Sequence, residues 1–461
     1  MSEPLETAHV RAQPPPVPAA GQVPRPPVDY SGAKVLVMGL GIFGGGAGVA
    51  KFLAQRGAAV TVTDLRGPED LQSSIESLRG LDVRYVLGEH RAQDFVDVDF
   101  IVRNPAVPTT SRYLGIAREH GVPVYMEMSL FFMECWPDRV IGITGTKGKT
   151  TTTTLTGEIL KHAGRDVVVA GNLRVSALDQ LSRLTSETDV VLELSSFQLE
   201  GLESVQISPR TSLITNLMAD HLNRYPSLEA YFAAKQNIFR YQGADGILAL
   251  NREDSHSLQL ERLAPGYVIW FGKHDHVPGA DRSRLRGEHN RANMAGAAAI
   301  ASVLGVDEHV VEEAITSFRG VPYRQELVRE VGGVQFINDT AATTPDATIA
   351  ALASIERPVV LVAGGADKEL TFAGLGEVLA QPATNVRAVV LLEGSATDKL
   401  AAVLGNKAHG RFNRFADAIR HAAELARPGD VVLLSPGCAS FGMFANEFDR
   451  GDQFNEIVRT L

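Results

Sequence analysis

Residues 142–151 of this chain read Gly142-Ile143-Thr144-Gly145-Thr146-Lys147-Gly148-Lys149-Thr150-Thr151, directly after the apolar residues Val140 and Ile141. A short apolar strand followed by a glycine-rich turn and a threonine-rich helix start is typical of a phosphate-binding loop. The glycines let successive backbone N–H groups converge on phosphate oxygens, and the helix start adds a positive dipole. The run therefore predicts a parallel-sheet domain that binds a nucleoside triphosphate.

Two side chains of this run have predicted roles in triphosphate binding. Lys149 can reach the outer phosphates, and the Thr150 hydroxyl can hold Mg²⁺. The common pattern has a further glycine five residues before Gly148, where this chain has Ile143, so the match is to a shorter form of the loop. The alternative is a chance lysine in a Gly/Thr turn, but the strand, turn and helix context agrees with the functional interpretation.

Composition restricts the class of protein. The chain has 461 residues, 44% of them hydrophobic, and this length suggests about three domains. A net charge of −10 argues against nucleic acid as a partner. No apolar run approaches the roughly 20 residues that span a bilayer, and no signal peptide is recognisable, so we predict a cytoplasmic protein without membrane association. Cys135 and Cys438 are too few and too far apart to suggest a disulfide framework.

Short β-rich runs alternate with helical patterns from residue 34 onward, which predicts parallel sheets covered by helices. We place a disordered, proline-rich tail at 1–31 and domain boundaries at 32–136, 137–321 and 322–461. The predicted strands are listed here: 34–39, 59–64, 100–103, 140–144, 190–194, 212–216, 246–250, 334–338, 359–363, 388–392 and 431–434.

The first domain has a nucleotide-binding turn of its own. Gly39, Gly41 and Gly44 follow a predicted strand with dinucleotide-fingerprint spacing, and Asp64 ends the next strand. Taken alone this pattern favours NAD, but the same geometry suits any pyrophosphate-linked nucleoside. A purely structural glycine turn is a further alternative.

Polar side chains follow the strands of the central domain. Glu193 ends an apolar strand, where a carboxylate can bind Mg²⁺ at the ligand edge of a parallel sheet. His221 follows the next strand and has an ordinary packed histidine as its alternative interpretation. Lys235 has the pattern of any helical lysine. Asn290 and Asn293 share a helix face, where they could cap the helix or bind an adenine edge.

Taken together, these residues resemble the ATP-dependent muramyl ligases of peptidoglycan synthesis, and the resemblance covers residues 34–461. It rests on 145–151, 193–200, 220–221, 231–235, 289–293, 338–339 and 435–440. The family implies an α/β protein with three domains. The N-terminal Rossmann-like domain holds the uridine diphosphate, the central ATPase-like domain holds ATP, and the C-terminal Rossmann-like domain brings the amino acid.

The resemblance also implies site residues and cofactors. The implied catalytic residues are Lys149, Glu193, His221 and Lys235. The implied ligands of two Mg²⁺ ions are Thr150, Glu193, His221 and Lys235, the last as a carbamate. ATP is expected to contact Gly145, Thr146, Lys147, Gly148, Lys149, Thr150, Thr151, Asn290, Asn293, Arg324 and Asp339. The UDP-sugar residues are Gly41, Ile42, Phe43, Asp64, Arg66, Asn104 and Asn172. The glutamate residues are Thr343, Lys368, Ser440, Phe441 and Phe448.

The implied activity joins glutamate to UDP-N-acetylmuramoyl-L-alanine through an acyl phosphate. We predict a monomer. One departure concerns the glutamate isomer. Family members that add D-glutamate usually read Ser-Lys-Ala-Thr-Asn where this chain has Thr340-Ala341-Ala342-Thr343-Thr344, so a cation is missing at Ala341. We take D-glutamate as the substrate and keep L-glutamate as the alternative.

Several alternative functions remain possible at this point. They are a sister ligase for another amino acid, a folylpolyglutamate synthase-like ligase, a nicotinamide oxidoreductase and a non-catalytic nucleotide sensor.

Overall fold

The structure is a computed structural model, and it describes residues 28–41, 45–173, 175–220, 224–285, 287–367, 370–381 and 383–461. Most of the predicted tail, and the predicted site residues Ile42, Phe43, His221 and Lys368, lie outside these ranges. Within them, no helix combines the length and apolar character that a bilayer crossing requires.

The first sheet contains the N-terminal nucleotide-binding turn. Its strands are β1 (Lys34–Met38), β2 (Ala59–Asp64), β3 (Val83–Leu87), β4 (Phe100–Arg103) and β5 (Val124–Tyr125). Its helices are α1 (Gly45–Gln55), α2 (Gln72–Glu76), α3 (Arg112–Glu119) and α4 (Glu127–Glu134). The strands are parallel in the order β3-β2-β1-β4-β5. Chain direction across the sheet therefore reverses between β1 and β4, and such a switch point is where open α/β sheets bind ligands.

The second sheet is also parallel and contains the phosphate-binding loop. Its strands are β6 (Val140–Thr144), β7 (Val167–Gly171), β8 (Asp189–Glu193), β9 (Thr211–Ile214), β10 (Ile247–Asn251) and β11 (Tyr267–Phe271). Its helices are α5 (Lys149–His162), α6 (Ala177–Gln180), α7 (Ser196–Leu199), α8 (Leu228–Gln236), α9 (Ser257–Leu260), α10 (Glu288–Val303) and α11 (Glu308–Ser317). The order is β11-β10-β9-β6-β8-β7, so β6 is an interior strand, every residue of which is buried.

The third sheet has one antiparallel edge strand. Its strands are β12 (Glu326–Val331), β13 (Val334–Asn338), β14 (Val359–Gly364), β15 (Val386–Leu392), β16 (Ala408–Phe412) and β17 (Val431–Leu434). Its helices are α12 (Pro345–Ala353), α13 (Ala373–Ala380), α14 (Thr397–Leu404), α15 (Phe415–Leu425) and α16 (Glu447–Thr460). The order is β12-β13-β17-β14-β15-β16, and only the β12–β13 pair among the described strand pairs of this sheet is antiparallel.

The chain forms two compact units. The first comprises residues 1–283 and 288–318, so it includes the first two sheets, and the second comprises 284–287 and 319–461. The predicted division into α/β domains agrees with the three sheets, while the individual domain boundaries stay predictions.

The glycine turn after β1 depends on close backbone packing against α1. Gly39 and Gly41 have φ angles of 91° and 70°, which favour glycine. A Cβ atom on Gly46 would lie 2.1 Å from the carbonyl oxygen of Gly39. Gly46 therefore lets the helix approach the strand end closely.

We predict opposite effects for two glycine-to-alanine substitutions in α1. Gly46→Ala should lower the free energy of unfolding of the first unit by about 1–3 kcal/mol, since the added methyl group overlaps a backbone oxygen. Gly48→Ala is the matched control, because nothing lies within 4 Å of its added Cβ. It should raise stability by about 0.5–1 kcal/mol through helix propensity. Urea unfolding followed by circular dichroism measures both, and shifts of the same sign would contradict this account of the turn.

Candidate active site

The phosphate-binding loop has the backbone that its sequence predicts. β6 ends at Thr144 and α5 begins at Lys149, with Gly145 at φ 148° and Gly148 at φ 84° in the left-handed region. Thr150 and Thr151 lie in the first turn of α5 and are half-buried, while Lys147 is exposed. A helix start that follows two glycines at the carboxyl edge of a parallel sheet can bind phosphate oxygens through its N–H groups.

Polar groups at the end of β9 hold this loop in place. The Thr146 N–H donates to the Asn216 carbonyl oxygen at 2.9 Å, and the Lys147 N–H donates to Asn216 Oδ1 at 2.9 Å. Asn216 Nδ2 and Thr215 Oγ1 both donate to the Lys147 carbonyl oxygen, at 3.1 and 2.5 Å. The loop conformation is therefore fixed from the neighbouring strand.

Side chains cannot replace the two glycines of the loop. A Cβ atom on Gly145 would lie 1.8 Å from Thr215 Oγ1, and one on Gly148 would lie 2.3 Å from Asn293 Oδ1. Asn293 belongs to α10 and donates through Nδ2 to Asn290 Oδ1 at 3.1 Å. The two asparagines thus share a helix face, as their spacing predicts, and Asn293 packs against the loop.

Two lysines converge on the loop. Lys149 Nζ donates to the carbonyl oxygens of Gly145 and Thr146, at 3.0 Å each. Lys235 Nζ also donates to the Gly145 carbonyl oxygen, at 2.8 Å. The positive charge of Lys149 at the loop suits a triphosphate.

Lys235 on α8 has an unusual environment for a lysine. Its side chain is buried, with 1% exposure, and Nζ lies 4.8 Å from the centre of the Tyr231 ring. Burial, with repulsion from Lys149, lowers the pKa of Lys235 well below its ordinary value, although Asp220 and Glu193 oppose the shift. A lowered pKa increases the share of the neutral, nucleophilic form of the amine at a given pH.

Glu193 occupies the end of β8 as predicted and is buried, with 2% exposure. Its Oε1 accepts a hydrogen bond from Asn172 Nδ2 at 2.8 Å. No donor among the described residues reaches Glu193 Oε2, which is a buried atom. A buried carboxylate oxygen with an open acceptor site fits a hard cation such as Mg²⁺. The described residues contain no cluster of three His, Cys, Asp or Glu side chains suited to a metal.

The glycine turn after β1 brings together four of the predicted UDP-sugar residues, Gly41, Asp64, Arg66 and Asn104. Asp64 Oδ2 accepts from the Gly41 N–H at 3.2 Å, and Asp64 Oδ1 accepts from the Arg66 N–H at 3.0 Å. The Asn104 side chain lies against the turn, where Nδ2 would be 3.3 Å from a Cβ atom on Gly41. Asn172 instead follows β7 of the second sheet, beside Glu193.

Asp339 and Arg324 belong to the second unit. Asp339 follows β13 and is buried, and its carboxylate accepts from Ser435 Oγ at 2.8 Å and from the Gln325 N–H at 3.2 Å. Burial raises the pKa of Asp339 to about 7, against the opposing effects of these two hydrogen bonds and of Arg324. Arg324 itself is exposed.

Four predicted glutamate residues lie in the second unit within the described ranges. Thr343 follows the Asn338-Asp339 pair, Ser440 is buried, Phe441 is 47% exposed, and Phe448 packs edge-on against Tyr323 at 5.8 Å. Their roles in glutamate binding stay predictions.

Sequence reasoning missed several residues that position the site. Arg450 is fully buried and donates to Thr340 Oγ1 at 2.9 Å and to the Thr340 carbonyl oxygen at 3.0 Å, which anchors the segment before Thr343. In the first unit the missed residues are Thr215 and Tyr231, whose hydroxyl lies 3.3 Å from Thr146 Oγ1. The position of Thr215 just after a strand could have identified it from the sequence. The Tyr231–Thr146 and Arg450–Thr340 contacts could not be found in this way, because they join residues 85 and 110 positions apart.

We predict a pH-dependent stability that Asp339→Asn removes. The raised pKa means that the folded state keeps a proton which the unfolded state releases at its ordinary pKa of 3.8. The contribution of this group to stability is therefore complete below that pH and is lost as pH rises to about 7. Wild type should lose up to roughly 1.4 kcal/mol per pH unit across this window relative to the variant. Urea unfolding of both proteins at several pH values tests this, and equal pH slopes would contradict it.

Comparison with protein families identifies three domains in this chain. Residues 33–126 match the MurD-like N-terminal domain of Mur ligases, residues 143–281 match the Mur ligase middle domain, and residues 323–438 match the Mur ligase glutamate ligase domain.

Two relatives that match this chain over their whole length have the same protein name. A UDP-N-acetylmuramoylalanine–D-glutamate ligase from Roseiflexus sp. (strain RS-1) is 48% identical, and the match covers 94% of this chain and 100% of that protein. The protein of the same name from Clostridioides difficile (strain 630) is 35% identical, over 94% of this chain and 100% of that protein.

Solved structures with lower identity share the fold. The UDP-N-acetylmuramate-alanine ligase MurC of Thermotoga maritima has a TM-score of 0.55 at 20% identity, covering 93% of this chain and 99% of that one. MurF of Acinetobacter baumannii has a TM-score of 0.57 at 17% identity, covering 87% and 91%. From its three domain matches and its full-length relatives, we conclude that the chain belongs to the Mur ligase family.

Proposed function

We propose that this protein is an ATP-dependent, ADP-forming ligase that joins D-glutamate to UDP-N-acetylmuramoyl-L-alanine in peptidoglycan precursor synthesis. The observation that carries the proposal is a phosphate-binding loop with two convergent lysines and the buried Glu193, in a member of the Mur ligase family. The names of the full-length relatives support the same reaction. They do not favour a nicotinamide oxidoreductase or a folylpolyglutamate synthase-like enzyme.

The loop and its neighbours supply the ATP site of this proposal. N–H groups of the loop and of the α5 start bind the phosphates, and Lys149 places a positive charge on the outer ones. Asn290 and Asn293, together with Arg324 and Asp339 of the second unit, are proposed to contact the rest of ATP. The UDP part of the other substrate is proposed to bind at the glycine turn after β1, through Gly41, Ile42, Phe43, Asp64, Arg66 and Asn104. Asn172, which follows β7 beside Glu193, is proposed as a further contact of the UDP-sugar.

Two Mg²⁺ ions are proposed at the phosphate side of the site. Glu193 Oε2, Thr150, His221 and a carbamylated Lys235 are the proposed ligands, and the open acceptor site of the buried Glu193 carboxylate supports the first of them. When bound, Mg²⁺ neutralises charge on the phosphate oxygens. The carbamate forms when the neutral Lys235 amine adds to carbon dioxide and releases one proton. Its lowered pKa favours this reaction, and the product exchanges a repelling cation for an anion.

The chemistry requires activation of a carboxylate. The alanine carboxylate of the UDP-linked substrate attacks the γ-phosphorus of ATP, which breaks the bond to the β-phosphate oxygen and gives an acyl phosphate and ADP. The glutamate amine then attacks the acyl carbon, loses a proton, and displaces phosphate. Lys149 stabilises charge on the transferring phosphoryl group, so the protein acts by positioning and electrostatics.

Glutamate recognition is proposed for Thr343, Lys368, Ser440, Phe441 and Phe448. Ala341 leaves this site without the cation that related sequences usually have there, but the named relatives support D-glutamate over L-glutamate. We further propose that the protein works as a monomer in the cytoplasm, where its nucleotide substrates are available.

A phosphate-release assay tests the proposed function. Release from ATP should require both UDP-N-acetylmuramoyl-L-alanine and D-glutamate, and L-glutamate should not replace the D isomer. Lys149→Ala should lower turnover by about 10²–10³-fold, since it removes a transition-state charge contact. Lys161→Ala is the matched control, because Lys161 lies on the same helix in an exposed pair with Glu158.

Three results would contradict the assignment. Phosphate release that L-glutamate supports and D-glutamate does not would refute the proposed D-glutamate specificity. Tight NAD binding without UDP-sugar binding would refute the role of the first sheet. Normal turnover of the folded Lys149→Ala variant would refute the role of the loop.

For Lys235 we expect loss of activity in Lys235→Ala and partial recovery with added short carboxylic acids, which replace the carbamate. Lys235→Arg retains the positive charge but should not recover with these acids, since the cation still repels metal. Steady-state turnover with and without acetate measures the effect. Carbamylation would be refuted if mass spectrometry of the intact protein and crystallographic electron density both showed an unmodified Lys235 amine in active, metal-loaded enzyme.

A further inference from the structure

Two arginine contacts tie residues 103–107, which begin at the last residue of β4, to residues that lie between strands of the second sheet. Arg103 Nη2 donates to Glu200 Oε2 at 2.6 Å, and Glu200 follows α7. In the opposite direction, Arg224 Nη2 donates to the carbonyl oxygens of Pro105 and Val107, at 2.9 and 3.2 Å. The segment is therefore tied to the second sheet at both of its ends.

The Arg103–Glu200 ion pair is largely removed from solvent. The two side chains are 7% and 15% exposed. Arg103 also donates through Nη1 to the Val107 carbonyl oxygen at 3.1 Å, and Glu200 Oε1 accepts from the Tyr225 hydroxyl at 2.9 Å. Both carboxylate oxygens thus have donors. A buried, fully hydrogen-bonded pair holds its partners in a defined geometry, unlike an exposed pair.

Aromatic contacts continue from this pair toward the phosphate-binding loop. Tyr225 stacks on Phe197 at 5.8 Å with an interplanar angle of 4°, and Arg224 lies over the Phe197 ring at 5.5 Å. Tyr225 also contacts Tyr231, with ring centres 5.4 Å apart. The Tyr231 hydroxyl lies 3.3 Å from Thr146 Oγ1 in the loop.

The same segment contains Asn104, which is a proposed residue of the UDP-sugar pocket. Asn104 follows Arg103 directly, and a Cβ atom on Gly39 would lie 2.9 Å from Asn104 Cβ. The segment thus packs on the turn that is proposed to bind the UDP part of the substrate. A continuous set of contacts connects this turn to the loop proposed to bind ATP.

We propose that Arg103, Glu200, Arg224 and Tyr225, named here the clasp, are positioning residues that hold the UDP-sugar pocket in fixed register with the phosphate-binding loop. The inference rests on the proposed function. One substrate is held at each end of the clasp, and the carboxylate of the first must reach the γ-phosphate of the second. Small errors in such placement reduce the rate of the chemical step rather than the binding of either substrate.

This prediction separates positioning from fold stabilisation by kinetics. In Arg103→Ala and Glu200→Gln, we expect kcat for phosphate release at saturating substrates to fall by about 10–100-fold. Dissociation constants for UDP-N-acetylmuramoyl-L-alanine and for a non-hydrolysable ATP analogue, each measured alone by calorimetry, should change by less than about twofold, with one site per chain. The double variant should be no slower than the slower single variant, since both remove one interaction.

Milder variants keep the test decisive if Arg103→Ala does not fold. Arg103→Lys retains a charge that can reach Glu200 and should recover most of kcat, while Tyr225→Phe removes only the hydroxyl and should lower kcat several-fold. Arg84→Ala is the control, because it removes the more exposed Arg84–Asp94 pair from the first sheet. It should leave kcat unchanged.

Unchanged kcat in folded clasp variants would overturn the proposal. So would a loss of kcat matched by an equal loss of binding sites, which indicates partial unfolding, or additive losses in the double variant. Absence of glutamate-dependent phosphate release in wild type would refute the proposed function itself, and it would be seen before any variant is compared.

Discussion

The constraint on which the active site depends is the close approach of the phosphate-binding loop to the strand end beside it. Gly145 and Gly148 leave no room for a side chain, because Thr215 and Asn293 occupy that space. The same approach lets Thr215 and Asn216 hydrogen-bond the loop backbone. A loop fixed in this way presents its N–H groups without reorganisation when a phosphate arrives, which is the usual source of electrostatic catalysis in phosphoryl transfer.

The charged groups beside this loop do not follow the net charge of the chain. The chain carries a net charge of −10, yet Lys149 and Lys235 converge on one carbonyl oxygen. Burial of the Lys235 amine beside Lys149 disfavours its charged form and lowers its pKa, which supports the proposed carbamylation. Glu193 is the buried counterpart, a carboxylate with one oxygen open to a cation.

The sequence predicted interior strands better than edge strands. Continuous apolar runs such as Val140–Thr144 and Val431–Leu434 are buried on both faces, so their composition alone identifies them. The unpredicted strands include Ala408–Phe412 and Glu326–Val331, which lie at the edges of the third sheet and are largely exposed or half-buried. An edge strand needs few apolar residues, and so it gives little signal in a single sequence.

The sequence by itself determined the α/β class, the two glycine-rich turns that follow β1 and β6, and the family, because glycine spacing and strand-to-helix order are local properties of the chain. It also placed Glu193 correctly at a strand end. Only the tertiary structure decided that Lys235 is buried beside Lys149, that Asp339 is a carboxyl group with a raised pKa, and that Arg103 pairs with Glu200. These properties depend on desolvation and on contacts between residues about 90 or more positions apart, such as 97 for Arg103 and Glu200, which no local pattern encodes.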